Sequence, residues 1–293
     1  MGYLHIDNLY KNKDILMFKE CYALEKIHGT SAHISYNENT FNNIPFTMLN
    51  YFSGGVEQST FERLFDDKIL INLFTEKGLG EKEIVIFGEA YGGKTQKMSE
   101  TYGKELKFVV FDIKVGDCWL SVSDAYGLAI SLGLDFVHYN RICTDMESID
   151  KERDAPSIQA IKNGIEEPRL REGIVLRPLI EFLDNRGNRI ICKHKSDEFK
   201  ETKTLRIVSE EELKILTDAK EIAEEWVTPM RLNPVLDAHK LENDPKNYGL
   251  VIKEMYADIA REGADEISMI KAAKKAISKK TIELLKIGSL NER

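Results

Sequence analysis

The sequence predicts an α+β protein with antiparallel sheets, followed by a smaller all-helical segment. Between about residues 20 and 200, short β-rich runs alternate with loops and a few helices, without a regular βαβ rhythm. From about residue 203 the β-rich runs cease and apolar residues recur at helical spacing. The 293 residues, 42% hydrophobic and 31% charged, suffice for one large core and a smaller second one. We therefore expect domains at 1–203 and 204–293.

Strands are expected at Cys21–Ile27, Ala32–Tyr36, Ile84–Ala90, Phe108–Val115, Gly173–Leu176 and Arg189–Lys195. Asp184-Asn185-Arg186-Gly187-Asn188 is a turn cluster that joins the last two as an antiparallel hairpin. Helices are expected at Asp124–Leu132 and Ser157–Asn163. In the second domain Ser209 is an N-cap with acids in the first turn, and Glu212 stands at the capping-box position. Leu213, Leu216, Ile222 and Trp226 continue that helix. Pro229, Pro234 and Pro245 punctuate the next stretch, before helices at Tyr248–Arg261 and Glu266–Ile287.

Composition excludes several classes. No apolar run approaches the roughly 18 residues of a membrane span. The first residues lack the basic and apolar regions of a signal peptide, and Ile6 stands where a myristoylation signal favours Ser or Thr. Cys21, Cys118, Cys143 and Cys192 form no CxxC, so neither a zinc site nor a disulfide framework is expected, and a reducing cytoplasm fits. The net charge of −8 argues against a protein that coats nucleic acid through bulk charge, but says nothing of a local basic groove.

Two nucleotide motifs compete. Gly88-Glu89-Ala90-Tyr91-Gly92-Gly93-Lys94-Thr95 matches the phosphate-loop pattern GxxxxGK[ST] and follows an apolar strand. Glu89 would nevertheless set a carboxylate beside anionic oxygens, and the stretch after it, broken by Gly103, makes a poor docking helix. The rival is Glu25-Lys26-Ile27-His28-Gly29-Thr30, which alone is weak but keeps informative company. Downstream come Phe87-Gly88-Glu89, Phe108-Val109-Val110-Phe111-Asp112-Ile113, Arg171-Glu172-Gly173-Ile174-Val175-Leu176-Arg177-Pro178 and Ile191-Cys192-Lys193-His194-Lys195.

These five motifs, in this order, resemble those of the lysine-adenylating nucleotidyltransferases, the superfamily of DNA ligases, RNA ligases and capping enzymes. Histidine before the glycine makes the chain most similar to the RNA ligase 2-like family of ATP-dependent RNA ligases. The resemblance covers roughly residues 20–200 and implies an ATP-grasp-like ligase core with antiparallel sheets. It implies that Lys26 is the nucleophile that takes AMP from ATP. Glu89 would contact the ribose, Phe111 would stack on adenine, and Glu25, His28 and Gly29 would flank the nucleotide. Asp112 matches a position needed for activity, and Glu172 would support Mg²⁺ or Mn²⁺. The partners implied are RNA 3′-hydroxyl and 5′-phosphate ends, including nicked duplex, acted on by a monomer in the cytoplasm, or the host cytoplasm if viral.

The residues support that chemistry in their own terms. A free lysine is protonated at neutral pH, so the site must favour its neutral form, and nearby cations do so by repulsion. Lys193 and Lys195 are two apart on a strand, leave the same face and can converge on one phosphate. His194 then points the other way.

Each residue also has a plainer role open to it: Phe111 as core, Glu172 as a loop end, Lys193 and Lys195 as a solvated edge. The family's arginine between the nucleophile and the Gly-Glu motif is missing here from Lys26 through Glu62, and Arg63 is the nearest substitute. The stretch 268–293 holds seven basic and two acidic residues, either a phosphate-facing surface or a solvated helix face. Competing functions are a phosphate-loop NTPase using Lys94, a DNA ligase or capping guanylyltransferase using Lys26, and a non-catalytic RNA-binding module.

Overall fold

Two antiparallel sheets carry the first two thirds of the chain, and helices carry the rest. The computed structural model describes residues 2–41, 44–79, 81–184, 186–199, 208–263, 267 and 270–291. Asn185, Glu266, Ser268, Glu292, Arg293 and the expected boundary at 203/204 lie outside the described residues.

In chain order the elements are β1 (Glu20–Lys26), β2 (Thr30–Phe41), β3 (Ile44–Ser53), α1 (Gln58–Glu62), α2 (Asp67–Glu76) and β4 (Ile84–Gly92). Then come α3 (Ser99–Tyr102), β5 (Leu106–Val115), β6 (Cys118–Trp119), α4 (Val122–Ser131), β7 (Tyr139–Cys143), α5 (Met146–Arg153) and α6 (Ile158–Lys162). The hairpin strands β8 (Gly173–Pro178) and β9 (Cys192–Lys195) precede four helices: α7 (Glu210–Trp226), α8 (Pro229–His239), α9 (Tyr248–Glu262) and α10 (Lys271–Asn291). The strands form a four-stranded sheet, β7-β1-β8-β9, and a five-stranded sheet, β3-β2-β4-β5-β6. Every pair in the larger sheet is antiparallel, as is β8 with β9.

Alternation decides which face of the larger sheet is core. Ala32, Ile34 and Tyr36 of β2 and Ile84 and Ile86 of β4 are buried against Leu70 and Phe74 of α2 and Ala125 and Ala129 of α4. Both helices start on side-chain caps, Asp66 accepting from the Lys68 and Ile69 amides and Ser121 from Asp124. The opposite face, carrying Ser31, His33, Phe87 and Glu89, is left for the site.

One irregularity matters. Phe87 pairs with Asp112 and Gly88 with Val110, so Phe111 is an unpaired extra residue, a β-bulge. In a regular strand Phe111 and Asp112 would leave opposite faces; here both meet Tyr3. Asp112 is wholly buried and accepts from Tyr3 (2.7 Å), Arg177 (3.0 Å) and Arg189 (2.6 Å). Glu181 accepts from both arginines, Arg177 also donates to the Leu120 carbonyl, and Arg189 lies 4.1 Å over the Trp119 ring. The network joins β5 of one sheet to β8 of the other.

By contacts the chain divides into two compact units. The first is Met1–Asn8, Tyr22–Ile142 and Met146–Lys203; the second is Leu9–Cys21, Cys143–Asp145 and Thr204–Arg293. In the second unit Ser209 caps α7 through the Glu212 amide, and Thr228 and Pro229 open α8. Ala219 and Ala223 of α7, Val251, Met255 and Ile259 of α9, and Ala276, Ile277 and Leu285 of α10 form its core. The lysine-rich α10 is partly committed internally. Lys275 and Lys279 pair with Asp14, and Lys280 pairs with Glu224 and Glu283. No helix among the described residues is long and apolar enough to cross a membrane.

Removing Asp112 would leave two buried guanidinium groups short of their counter-charge. Asp112→Ala is expected to cost about 3–5 kcal/mol. The shift of the urea unfolding midpoint measures it, and a loss under about 1 kcal/mol would show that the network does not hold the sheets.

Candidate active site

The motif residues meet on the free face of the larger sheet. Lys26 ends β1, and the turn after it, His28-Gly29, presses against β4. A β-carbon on Gly29 would sit 2.4 Å from the Ala90 carbonyl oxygen, so no other residue fits there without displacing the turn. The Gly29 amide donates to Glu89 at 3.1 Å, and the His28 amide donates to the Tyr102 hydroxyl at 3.3 Å.

Glu172, just before β8, is the electrostatic centre. It is buried, and one oxygen accepts from the Lys26 amine at 2.9 Å and lies 3.1 Å from His28 Nδ1. The other oxygen lies 3.1 Å from the Lys195 amine. Lys26 keeps 24% of its side-chain surface exposed, so its amine is reachable. Burial pushes the Glu172 carboxyl up, but His28, Lys26 and Lys195 outweigh burial and hold it at about 2. Burial pushes Glu89 up as well. Lys26 opposes this and the charge of Glu172 reinforces it, leaving Glu89 at about 7.

Beside this cluster lies a cavity of about 190 Å³ between the two sheets. Leu24, Val137, Phe111, Val175 and Ile191 supply apolar walls; Lys26, Ser31, Glu89 and Arg177 supply polar edges. A flat apolar slot with a few placed polar groups suits a nucleobase. A wider concavity of about 650 Å³, around Trp226 and Arg231 in the helical unit, contains none of the motif residues.

The structure thus brings together Lys26, His28, Gly29, Glu89, Glu172 and Lys195, with Phe111 in the cavity wall. Lys193 pairs with Val175 in the sheet and so shares the cavity-facing side, although it does not line the cavity. His194 leaves the other face, 2.7 Å from Asp150 and Arg153 of α5.

Two expected nucleotide contacts are otherwise engaged. Glu25 reaches the cavity wall, but its carboxylate accepts from Ser157 Oγ (2.5 Å) and the Ile158 and Gln159 amides, at the start of α6. Asp112 is absent from the cavity wall, both oxygens being held by the arginine network. Arg63 sits exposed at the end of α1, away from the cavity.

The phosphate-loop alternative does not survive. Gly88–Gly92 is part of antiparallel β4, and Lys94 leads into a short turn and a four-residue helix. No helix N-terminus is aimed at a loop of free amides there.

Tyr3 and Arg177 are cavity-lining residues the sequence did not single out. Tyr3 lines the cavity and packs against Phe87, Phe111 and Trp119. Nothing in the N-terminal sequence signals this. Arg177 lies inside a motif but matches no catalytic role, and its position is set by Asp112.

Comparison with known proteins places the chain. The RNA ligase family profile matches residues 19–195, more than half of the chain. The chain belongs to the RNA ligase family. Among solved structures it is similar to Naegleria gruberi RNA ligase. A substituted form of that ligase with AMP and Mn aligns at 15% identity with a TM-score of 0.49, covering 68% of this chain and 57% of that one. Another with ATP and Mn aligns at 15% and 0.47, covering 68% and 56%, and the ligase with PPi at 16% and 0.46, covering 68% and 57%. The chain therefore spans a little over half the length of these ligases. No curated protein gives a significant match.

The charges of the cluster and its tightest turn can both be tested. The Glu172 contribution to stability is present above its unfolded value of 4.5 and is lost as pH falls towards 2. Glu89 has the opposite sign: its raised carboxyl binds a proton in the folded state, so stability falls as pH rises from 4.5 to about 7. Glu89→Gln should therefore stabilise the nucleotide-free protein at about pH 8 by on the order of 2 kcal/mol, and leave it unchanged at about pH 4. Urea denaturation at the two pH values measures this, and equal effects at both would contradict it. Gly29→Ala should lower stability by about 1–3 kcal/mol, because the added carbon overlaps the Ala90 carbonyl. Thermal unfolding with and without ATP would show that loss together with weakened nucleotide binding.

Proposed function

We propose that this chain is an ATP-dependent RNA ligase working through a Lys26–AMP intermediate. The observation that carries the reading is the convergence of Lys26, His28, Glu172 and Lys195 beside a nucleobase-sized slot.

In the first step the Lys26 amine attacks the α-phosphorus of ATP. A nitrogen–phosphorus bond forms, the bond to the β-phosphate oxygen breaks, pyrophosphate leaves and the amine loses its proton to solvent. An RNA 5′-phosphate oxygen then attacks the same phosphorus, returning the lysine and giving an adenylated 5′ end. A 3′-hydroxyl attacks that 5′-phosphate, AMP departs and a phosphodiester remains. Phe111 and the apolar wall would hold adenine, and Glu89, at the polar end of the slot, would accept from the ribose. Lys195, already 3.1 Å from Glu172, would stabilise charge on the phosphate.

A divalent metal fits this donor set in part. Glu172 offers hard carboxylate oxygens, but among the described residues no three His, Cys, Asp or Glu side chains gather to cage an ion. Mg²⁺ suits such a site, because it takes one or two carboxylates and completes its shell with water and phosphate. When bound it would neutralise phosphate charge. Glu172 would then exchange its hold on Lys26 for one on the ion.

Incubation with Mg²⁺ and α-labelled ATP or GTP, followed by denaturation, tests the reading. Label from ATP should remain on the chain, vanish in Lys26→Ala, persist in Lys94→Ala, and fall by about 10²–10³ in rate in Lys195→Ala. Absence of label, with intact mass showing no AMP already attached, would sink the covalent mechanism. Sealing of DNA nicks in preference to RNA ends would overturn the substrate.

A further inference from the structure

The segment that imitates a phosphate loop in sequence has a shape of its own. Beyond β4 the chain doubles back over residues 93–105, closed by the Gly93 amide donating to the Gly103 carbonyl at 3.0 Å. Gly93, Lys94, Lys97, Ser99 and Lys104 line a concavity of about 430 Å³ in that fold-back.

Three lysines on one small concavity make a local positive patch that favours an anionic occupant. Some lysines of the chain find acids: Lys13 with Glu212, Lys275 with Asp14, Lys280 with Glu224. Among the described residues Lys94, Lys97 and Lys104 have no such partner, and all three are exposed. The nearest acids in sequence, Glu100 and Glu105, do not line the concavity.

The backbone of this fold-back takes several left-handed positions. Gln96 and Lys97 hold positive φ angles of 52° and 59°, which non-glycine residues adopt at a cost. Gly92, Gly93 and Gly103 take the remaining left-handed positions.

The fold-back is tied to the nucleophile's turn. Tyr102, at its far end, accepts from the His28 amide, and the Asn163 side-chain amide holds the Tyr102 carbonyl at 2.9 Å. Lys94 is five residues past Glu89, so their α-carbons lie at most about 18 Å apart. A strand end presented to the Lys26-bound AMP would run its backbone within reach of this loop.

We propose that the Lys94–Lys97–Lys104 concavity is a subsite for backbone phosphates of the RNA being joined, separate from the adenylation site. This rests on the ligase reading above. The flexible ammonium groups act as point charges and read no sequence, so the subsite contributes affinity and register, not base preference.

The test compares the wild type with Lys94→Ala/Lys97→Asn/Lys104→Ala, asparagine being chosen because it tolerates the left-handed backbone. Fluorescence anisotropy of a nicked 5′-phosphorylated RNA duplex is followed between about 50 and 200 mM NaCl, where phosphate contacts show as salt dependence. If three phosphate contacts are lost, the slope of log affinity against log salt should flatten by about 2.7. Lys26 labelling and the KM for ATP should be unchanged, and the triple Lys→Arg variant should keep the wild-type slope.

An unaltered slope in the triple variant, with Lys26 labelling intact, overturns this subsite and leaves the ligase reading standing. A raised KM for ATP with an unaltered RNA slope assigns the lysines to the triphosphate and overturns it too. A wild type that neither labels nor binds RNA defeats both readings.

Discussion

Two sheets can enclose a ligand only if something stops them from collapsing on one another. In this protein that spacer is ionic. Asp112 on β5 and Arg177 on β8 meet in the interior, with Arg189 and Glu181 balancing the charge and Tyr3 completing the hydrogen bonds. Burying such a set gains little net stability against a well-packed apolar core. What it provides is a fixed separation. Apolar contacts alone would favour closing the 190 Å³ slot, whereas paired guanidinium and carboxylate groups accept only one distance.

The chemistry at the open end depends on that separation. Glu172 precedes the same strand that carries Arg177, and Lys26 lies on its neighbour β1. The hold of Glu172 on Lys26, His28 and Lys195 is thereby set against Glu89, which belongs to the other sheet. One carboxyl is held at about 2 and the other at about 7, although both are acidic side chains in one cleft. The difference comes from their company, since Glu172 faces three cationic or hydrogen-bonding partners and Glu89 faces burial and a like charge.

Much of this was legible in the sequence. The hairpin at 184–188, the cap Ser209, and strands β1, β4 and β5 follow from turn chemistry, capping and apolar runs. Lys26, Glu89 and Lys195 sit on strands, and His28, Gly29 and Glu172 in the turns that adjoin them, so the motif residues gather where strands end. Strand β3 was not legible because Phe46, Met48 and Phe52 leave apolar groups on its exposed side, erasing the two-residue period. The ionic spacer was illegible for another reason. Tyr3 and Arg189 stand 186 residues apart, and no local pattern announces a contact at that separation. Asp112 stands out in the sequence only because its motif resembles the family's, and the bulge shows that it and its neighbour Phe111 make different contacts.

That bulge makes the protein's tolerance to change uneven over a single peptide bond. Residue 111 belongs to the ligand wall and residue 112 to the clamp between sheets. Variation at 111 changes the cavity wall and its packing on Tyr3, whereas variation at 112 removes the counter-charge of two buried arginines. Losing one residue from β5 would remove the extra position and make the two roles compete for one face. The cavity wall in this chain can therefore change by substitution, but not by shortening the strand that carries it.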